Sequence, residues 1–153
     1  MFLLYSLIAL ISFLGLLVGM ILTYSNKDEL KPGRKYIILV QKIIWTLIMI
    51  VTAFVYNLHW FVLLLIFIFT ISPFFNKKQI KTPSIYFFFG IIFYLSTNSI
   101  NLLAVNASLI FLFGLPSGTL IKTDEKSKIK KGFIKELAKN LGFFICIPLF
   151  LLL

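Results

Sequence analysis

Every one of the 15 basic residues falls in three short segments, and long apolar stretches fill the space between them. The first segment holds Lys27, Lys31, Arg34, Lys35 and Lys42. The second holds Lys77, Lys78 and Lys81. The third holds Lys122, Lys126, Lys128, Lys130, Lys131, Lys135 and Lys139. This pattern leaves little choice of solvent. Hydrophobic residues make up 60% of the 153 positions and charged residues 13%, against roughly 45–50% and about 25% in an average soluble domain. A water-soluble fold of this size could not hide so much apolar surface, and a disordered chain would be far more polar. The expected class is all-α: a polytopic helical membrane protein with a single transmembrane domain over residues 1–153.

The length of each apolar stretch sets the number of crossings. A hydrocarbon core ~30 Å thick needs about 20 helical residues. Residues 2–23 fit one span. Residues 43–75 are interrupted only by Asn57 and His59. As one helix they would run about 50 Å at 1.5 Å per residue, too long even when tilted. A turn at residues 57–60 gives two arms, 36–56 and 60–75. Residues 84–116 pose the same problem. The polar cluster Ser96, Thr97, Asn98 and Ser99 divides them into 83–97 and 100–116. The last apolar stretch, 141–153, is about 20 Å long. It crosses only as part of 133–153, with Lys135 and Lys139 snorkelling to the interface. Five or six spans are expected, two of the connections being tight external hairpins.

Charge gives the same division. Neither hairpin tip carries Lys or Arg, so all basic residues fall on one side of the membrane. The positive-inside rule makes that side the cytoplasm. Loops 24–35, 76–82 and 117–132 are then cytoplasmic and the N-terminus is outside. The expected location is the cell membrane, with a prokaryotic plasma membrane preferred. The first apolar run is long and lacks a basic n-region and a small-residue cleavage site, so it reads as a retained helix rather than a signal peptide. Residues 65–73 and 109–116 resemble each other. Two hairpins in one orientation would make a parallel repeat, although abundant Leu, Ile and Phe make chance the simpler explanation.

Charge buried in the membrane is the best pointer to function because it is expensive. Lys42 comes nearest, and it is expected to snorkel to the cytoplasmic interface. The polar intramembrane candidates are Asn101, Asn106 and Ser108. An amide at Asn106 must find a partner, and a neighbouring helix is the simplest one; the sharper reading is a binding site lined by Asn106. Gly15 and Gly19 form a GxxxG pair, which admits close backbone approach by another span or a second copy. Thr46, Thr52 and Thr70 are further polar positions in the spans. His59 reads as a solvated turn residue beside Trp60, a member of the interfacial aromatic belt. Cys146 reads as a small apolar residue.

The first loop has capping-box spacing at Asn26 and Glu29 and a turn signal at Pro32-Gly33. Asp28 and Glu29 are adjacent carboxylates that salt bridges with Lys31, Arg34 or Lys35 would absorb. Arg34 is the only arginine and the best phosphate fork. In the third loop, Thr123 can cap a helix opening with Asp124 and Glu125. Ile129, Phe133, Ile134, Leu137 and Leu141 recur at helical spacing among lysines, a basic amphipathic pattern suited to anionic lipid. Arg34, Lys126, Lys130, Lys131 and Lys135 are therefore expected to contact headgroups or a partner.

No HExxH, GxSxG, paired-aspartate or Gly-rich phosphate motif is present, and general acid–base catalysis needs a positioned titratable group. No cofactor, metal site or nucleic-acid partner is expected. The reading is a non-catalytic membrane subunit or scaffold packing against partner membrane proteins, or against further copies of itself, in a bilayer with anionic headgroups. The alternative is a small oligomeric transporter or channel for a neutral solute or lipid. A third option is a lipid-modifying enzyme using Asp28, Glu29 and Arg34.

Overall fold

The computed structural model describes residues 2–25, 27–55, 82–120, 134 and 137–145. Among them there is no strand. Helix α1 covers Phe2–Ser25, α2 Lys27–Val55, α3 Thr82–Leu95, α4 Ile100–Thr119 and the short α5 Gly142–Ile145. A single 3₁₀ turn, Ser96–Asn98, and an extended Ser99 connect α3 to α4. Among the described residues, three segments are long and apolar enough to cross a membrane: Leu3–Thr23, Pro32–Phe54 and Ile100–Thr119. The expected hairpin tip at 57–60, the span 60–75 and the loop 76–81 lie outside the described residues.

Contacts between the helices set their directions. Gly15 of α1 lies against Phe111 of α4, and Gly19 lies against Leu115 and Gly118. The numbers rise together, so α1 and α4 are parallel. In α2 the order reverses: Gln41 meets Ser117 and Trp45 meets Phe113. α3 is also antiparallel to α4, with Phe89 against Phe113 and Ser96 against Asn106.

Each long helix buries one face at helical spacing. On α1 this face is Ala9, Ser12, Phe13, Leu16, Met20 and Thr23. On α4 it includes Leu103, Asn106, Ala107, Ile110, Phe113 and Ser117. The opposite face of α1 is made of Leu3, Leu7, Leu10, Ile11, Leu14, Val18 and Ile21, which suits contact with lipid tails. In a bilayer, apolar surface gains little by leaving lipid for protein, so dispersion and close fit must hold the helices together. Aromatic rings fill the centre. Phe89 and Phe113 meet edge to face at 4.9 Å, Tyr86 lies 5.7 Å from Phe89, and Trp45 lies 5.7 Å from Phe89. Phe143 of α5 joins them, 6.1 Å from Phe13 and 6.3 Å from Tyr86. Pairs at such spacing add about 0.5–1.5 kcal/mol each beyond the area they bury.

Local signals were overridden at several points. Pro32-Gly33 reads as a turn, yet α2 passes straight through it. Pro32 is the sixth residue of α2, past the turn whose N–H groups are unpaired, so the helix continues with one intrahelical hydrogen bond missing. α4 likewise continues through Pro116 to Thr119, beyond the expected boundary at 116. Ser117 and Thr119 hydroxyls donate to the Phe113 and Pro116 carbonyls in this last turn. Leu141, expected to extend a helical stripe, is a turn ahead of α5.

Candidate functional site

Four glycines form the closest contact between helices. A Cβ on Gly15 would lie 2.8 Å from the Phe111 carbonyl carbon and nearer still to its oxygen. On Gly114 it would lie 2.6 Å from the Gly15 carbonyl carbon, and on Gly118 2.6 Å from the Met20 nitrogen. All these neighbours are backbone atoms that no rotamer change can move. The Gly15/Gly19 pair thus docks on a second GxxxG pair, Gly114/Gly118, within the same chain. Thr23 Oγ1, one turn further, is within hydrogen-bond distance of the Gly19 and Gly118 carbonyls, at 3.1 and 3.3 Å. Gly114-Leu-Pro-Ser-Gly118 was legible as GxxxG, but Pro116 made it look like the end of a span.

Asn106 lies inside the bundle with no solvent exposure. Its Nδ2 donates to Ser96 Oγ at 2.6 Å, and that hydroxyl donates to the Ile92 carbonyl at 2.7 Å. The amide thereby ties α4 to the last turn of α3. Asn106 Oδ1 and the Tyr86 hydroxyl are buried and meet no hydrogen-bond partner among the described residues. Ser96 was read only as part of a polar tip, because sequence cannot show which tip residue faces inward. At the same end the Tyr5 hydroxyl makes a long, 3.5 Å contact with the Thr97 carbonyl. From Tyr5 to Thr23, α1 rises about 27 Å, close to the ~30 Å of a hydrocarbon core.

The other two polar intramembrane candidates face outward. Asn101 and Ser108 are exposed, and Ser108 Oγ donates to the Ala104 carbonyl at 2.8 Å. Asn101, Ala104 and Ser108 follow at i, i+3 and i+7, on one side of α4. The structure separates them from Asn106.

At the opposite end, Gln41 is fully buried and Nε2 donates to Ser117 Oγ at 3.0 Å. Lys42 beside it is only 6% exposed, where snorkelling to the interface was expected. Helical register explains the difference. Lys42 shares its face with Trp45, Met49 and Thr52, all buried, so its side chain is covered by protein. Arg34 is half-buried and Lys35 exposed; Lys35 Nζ sits 5.0 Å above the Tyr36 ring. Lys126, Lys130, Lys131 and Lys135 lie outside the described residues, as do Asp124, Glu125 and Glu136. The side chains of Asp28 and Glu29 are outside them too.

Among the described residues, these features define an all-helical protein with three helices fit to cross a membrane, a glycine-locked helix pair and buried polar contacts near both ends. Comparison of the chain with protein-family models, with curated proteins and with solved structures finds no match.

Proposed function

We propose that the chain is a non-catalytic membrane subunit that packs against a partner membrane protein and holds it in place. The outward face of α4 carries this reading. Asn101, Ala104 and Ser108 occupy a surface where the exposed face of α1 has large aliphatic residues. In lipid, small residues let a second backbone approach and an amide supplies an interhelical hydrogen bond. The glycine lock and the ring-filled interior supply a stiff platform behind that surface. The topology belongs to the same proposal: five or six spans with two external hairpins, N-terminus outside, basic loops in the cytoplasm. The antiparallel α3 and α4 support it, as does the gathering of basic residues.

The test places a photo-crosslinking amino acid at Ser108 of the full chain in native membranes, with Leu10 on the lipid-facing side of α1 as control. A discrete adduct with one other membrane protein at Ser108 alone, together with loss of that protein when the chain is deleted, supports the subunit role. Lipid adducts alone at both positions would sink it.

A second reading has its own observation. Tyr86 Oη and Asn106 Oδ1 are buried polar atoms without partners among the described residues, the kind of group a neutral solute meets in an oligomeric transporter. Under that reading Ser108 crosslinks to a second copy, and Asn106→Leu abolishes flux while assembly persists.

A further inference from the structure

We propose that the outward face of α4 receives one membrane-spanning helix of the partner protein, lying antiparallel to α4 along Ala104, Ser108 and Leu112. The inference rests on the subunit role proposed above and adds the form of the partner. It starts from a repeat in the chain. Gly15, Gly19 and Gly33 are the first three glycines, and each has a glycine 99 positions later: Gly114, Gly118 and Gly132. Lys27 and Lys31 match Lys126 and Lys130 at the same spacing. With 8 glycines in 153 residues, such a triple coincidence at one spacing is rare. Gln41 and Asn140 also stand 99 positions apart, and both carboxamides are fully buried. The fold repeats the match. α1 and α4 are parallel, and a Cβ on Gly114 would meet Gly15 at 2.6 Å while one on Gly118 would meet Gly19 at 2.8 Å. Parallel helices whose equivalent residues face each other are related by a two-fold axis running along the pair, the geometry of an isologous contact.

Such an axis gives equivalent positions equivalent orientations. Tyr5, Ala9 and Phe13 of α1 therefore correspond to Ala104, Ser108 and Leu112 of α4. On α1 this stripe is covered. The Tyr5 hydroxyl reaches the Thr97 carbonyl just after α3, Ala9 has no exposed surface, and Phe13 meets Tyr86 of α3 edge to face at 5.8 Å. The numbers run in opposite order, so α3 is antiparallel to α1. On α4 the three equivalent positions are all exposed. One copy of the repeat thus shows what the other accepts: a helix running as α3 runs. Side-chain size defines the chemistry of that helix. Ala104 and Leu112 are smaller than Tyr5 and Phe13, so the incoming helix supplies the bulk, as large apolar side chains facing them. Close fit of this kind is what holds helices together in lipid. Asn101, also exposed, lies one turn before Ala104 and offers an amide for an interhelical hydrogen bond.

The test uses the full chain in native membranes. A photo-crosslinking amino acid replaces Ala104, Ser108 and Leu112 in turn, and the captured residues are mapped by mass spectrometry. All three should reach one apolar segment of a single other protein. The captured residue should step back along that segment as the position advances along α4. Captured residues that advance together with α4 mean a parallel helix and overturn the inference, while the subunit role stands. Capture of residues from this same sequence, or of lipid alone, overturns both. Ser108→Trp should reduce the co-purified partner at least about tenfold, because a ring forced into a packed contact overfills it, and should leave the chain's own stability unchanged. Ala9→Trp, at the equivalent but covered position, should instead destabilise the chain itself in SDS unfolding. Equal tolerance of tryptophan at the two positions in that assay would remove the covered-against-exposed difference from which the antiparallel helix is inferred.

Discussion

Gly15→Ala should loosen the α1–α4 contact more than any other single methyl addition on α1 outside Gly19. Ordinary van der Waals contact begins at about 3.4 Å, and the new Cβ would stand 2.8 Å from the Phe111 carbonyl carbon. The helices must therefore part by at least about 0.6 Å there, and by more to clear the oxygen. A gap of about 0.5–1 Å forfeits a quarter to a half of each dispersion well. If the glycine-lined stretch engages as many atom pairs as one buried leucine, about 40–60 at ~0.1–0.2 kcal/mol each, the loss is roughly 1–6 kcal/mol. The usual range for overpacking, about 1–3 kcal/mol, falls inside it. Alanine returns about 0.5–1 kcal/mol of helix propensity, so the net expectation is about 2 kcal/mol. Reversible unfolding by SDS in mixed micelles, followed by tryptophan fluorescence, measures it. Leu10→Ala, on the exposed face of α1, should change stability by less than about 0.5 kcal/mol. Adding Gly114→Ala to Gly15→Ala should cost less than the sum of the two, because one widening accommodates both methyls. A Gly15→Ala protein as stable as wild type, or a Leu10→Ala protein equally damaged, would refute the close-contact argument.

Asn106→Ala and Ser96→Ala should each lose about 1 kcal/mol in the same unfolding assay, within the range for interhelical hydrogen bonds in membranes. The double variant should lose little more than either single one, since both break one contact; full additivity would mean that the amide and hydroxyl are not coupled. For the topology, a reporter at Ser99 should be accessible from outside the cell and one at Lys78 from the cytoplasm. Lys78 appearing outside would end the two-hairpin arrangement.

Much of the fold was readable because it is local. Apolar run length fixed α1 to within two residues of its end, and the polar cluster 96–99 marked the break between α3 and α4. Both follow from the cost of unpaired backbone groups and polar side chains in hydrocarbon. The readings that changed depended on neighbours. Pro32-Gly33 and Pro116 carry strong local signals, but α2 and α4 stay helical through them. Lys42 was placed at the interface because a lone lysine in lipid snorkels. Only the register of α2 against α4 shows that it lies on the buried face.

The sequence by itself determined that this chain is helical and apolar enough for a membrane, with its basic residues gathered in three segments. Hydrophobicity and helical period are properties of consecutive residues, so they need no partner to be read. Tertiary structure alone decided that Gly15 and Gly19 face Gly114 and Gly118 in a parallel pair. It also decided that Asn106 turns inward to Ser96 while Asn101 and Ser108 turn outward. The middle of α1 and of α4 is apolar on most sides, so the pattern alone does not say which face meets protein and which meets lipid. That choice is made by steric fit between residues far apart in the chain, which only the folded arrangement brings together.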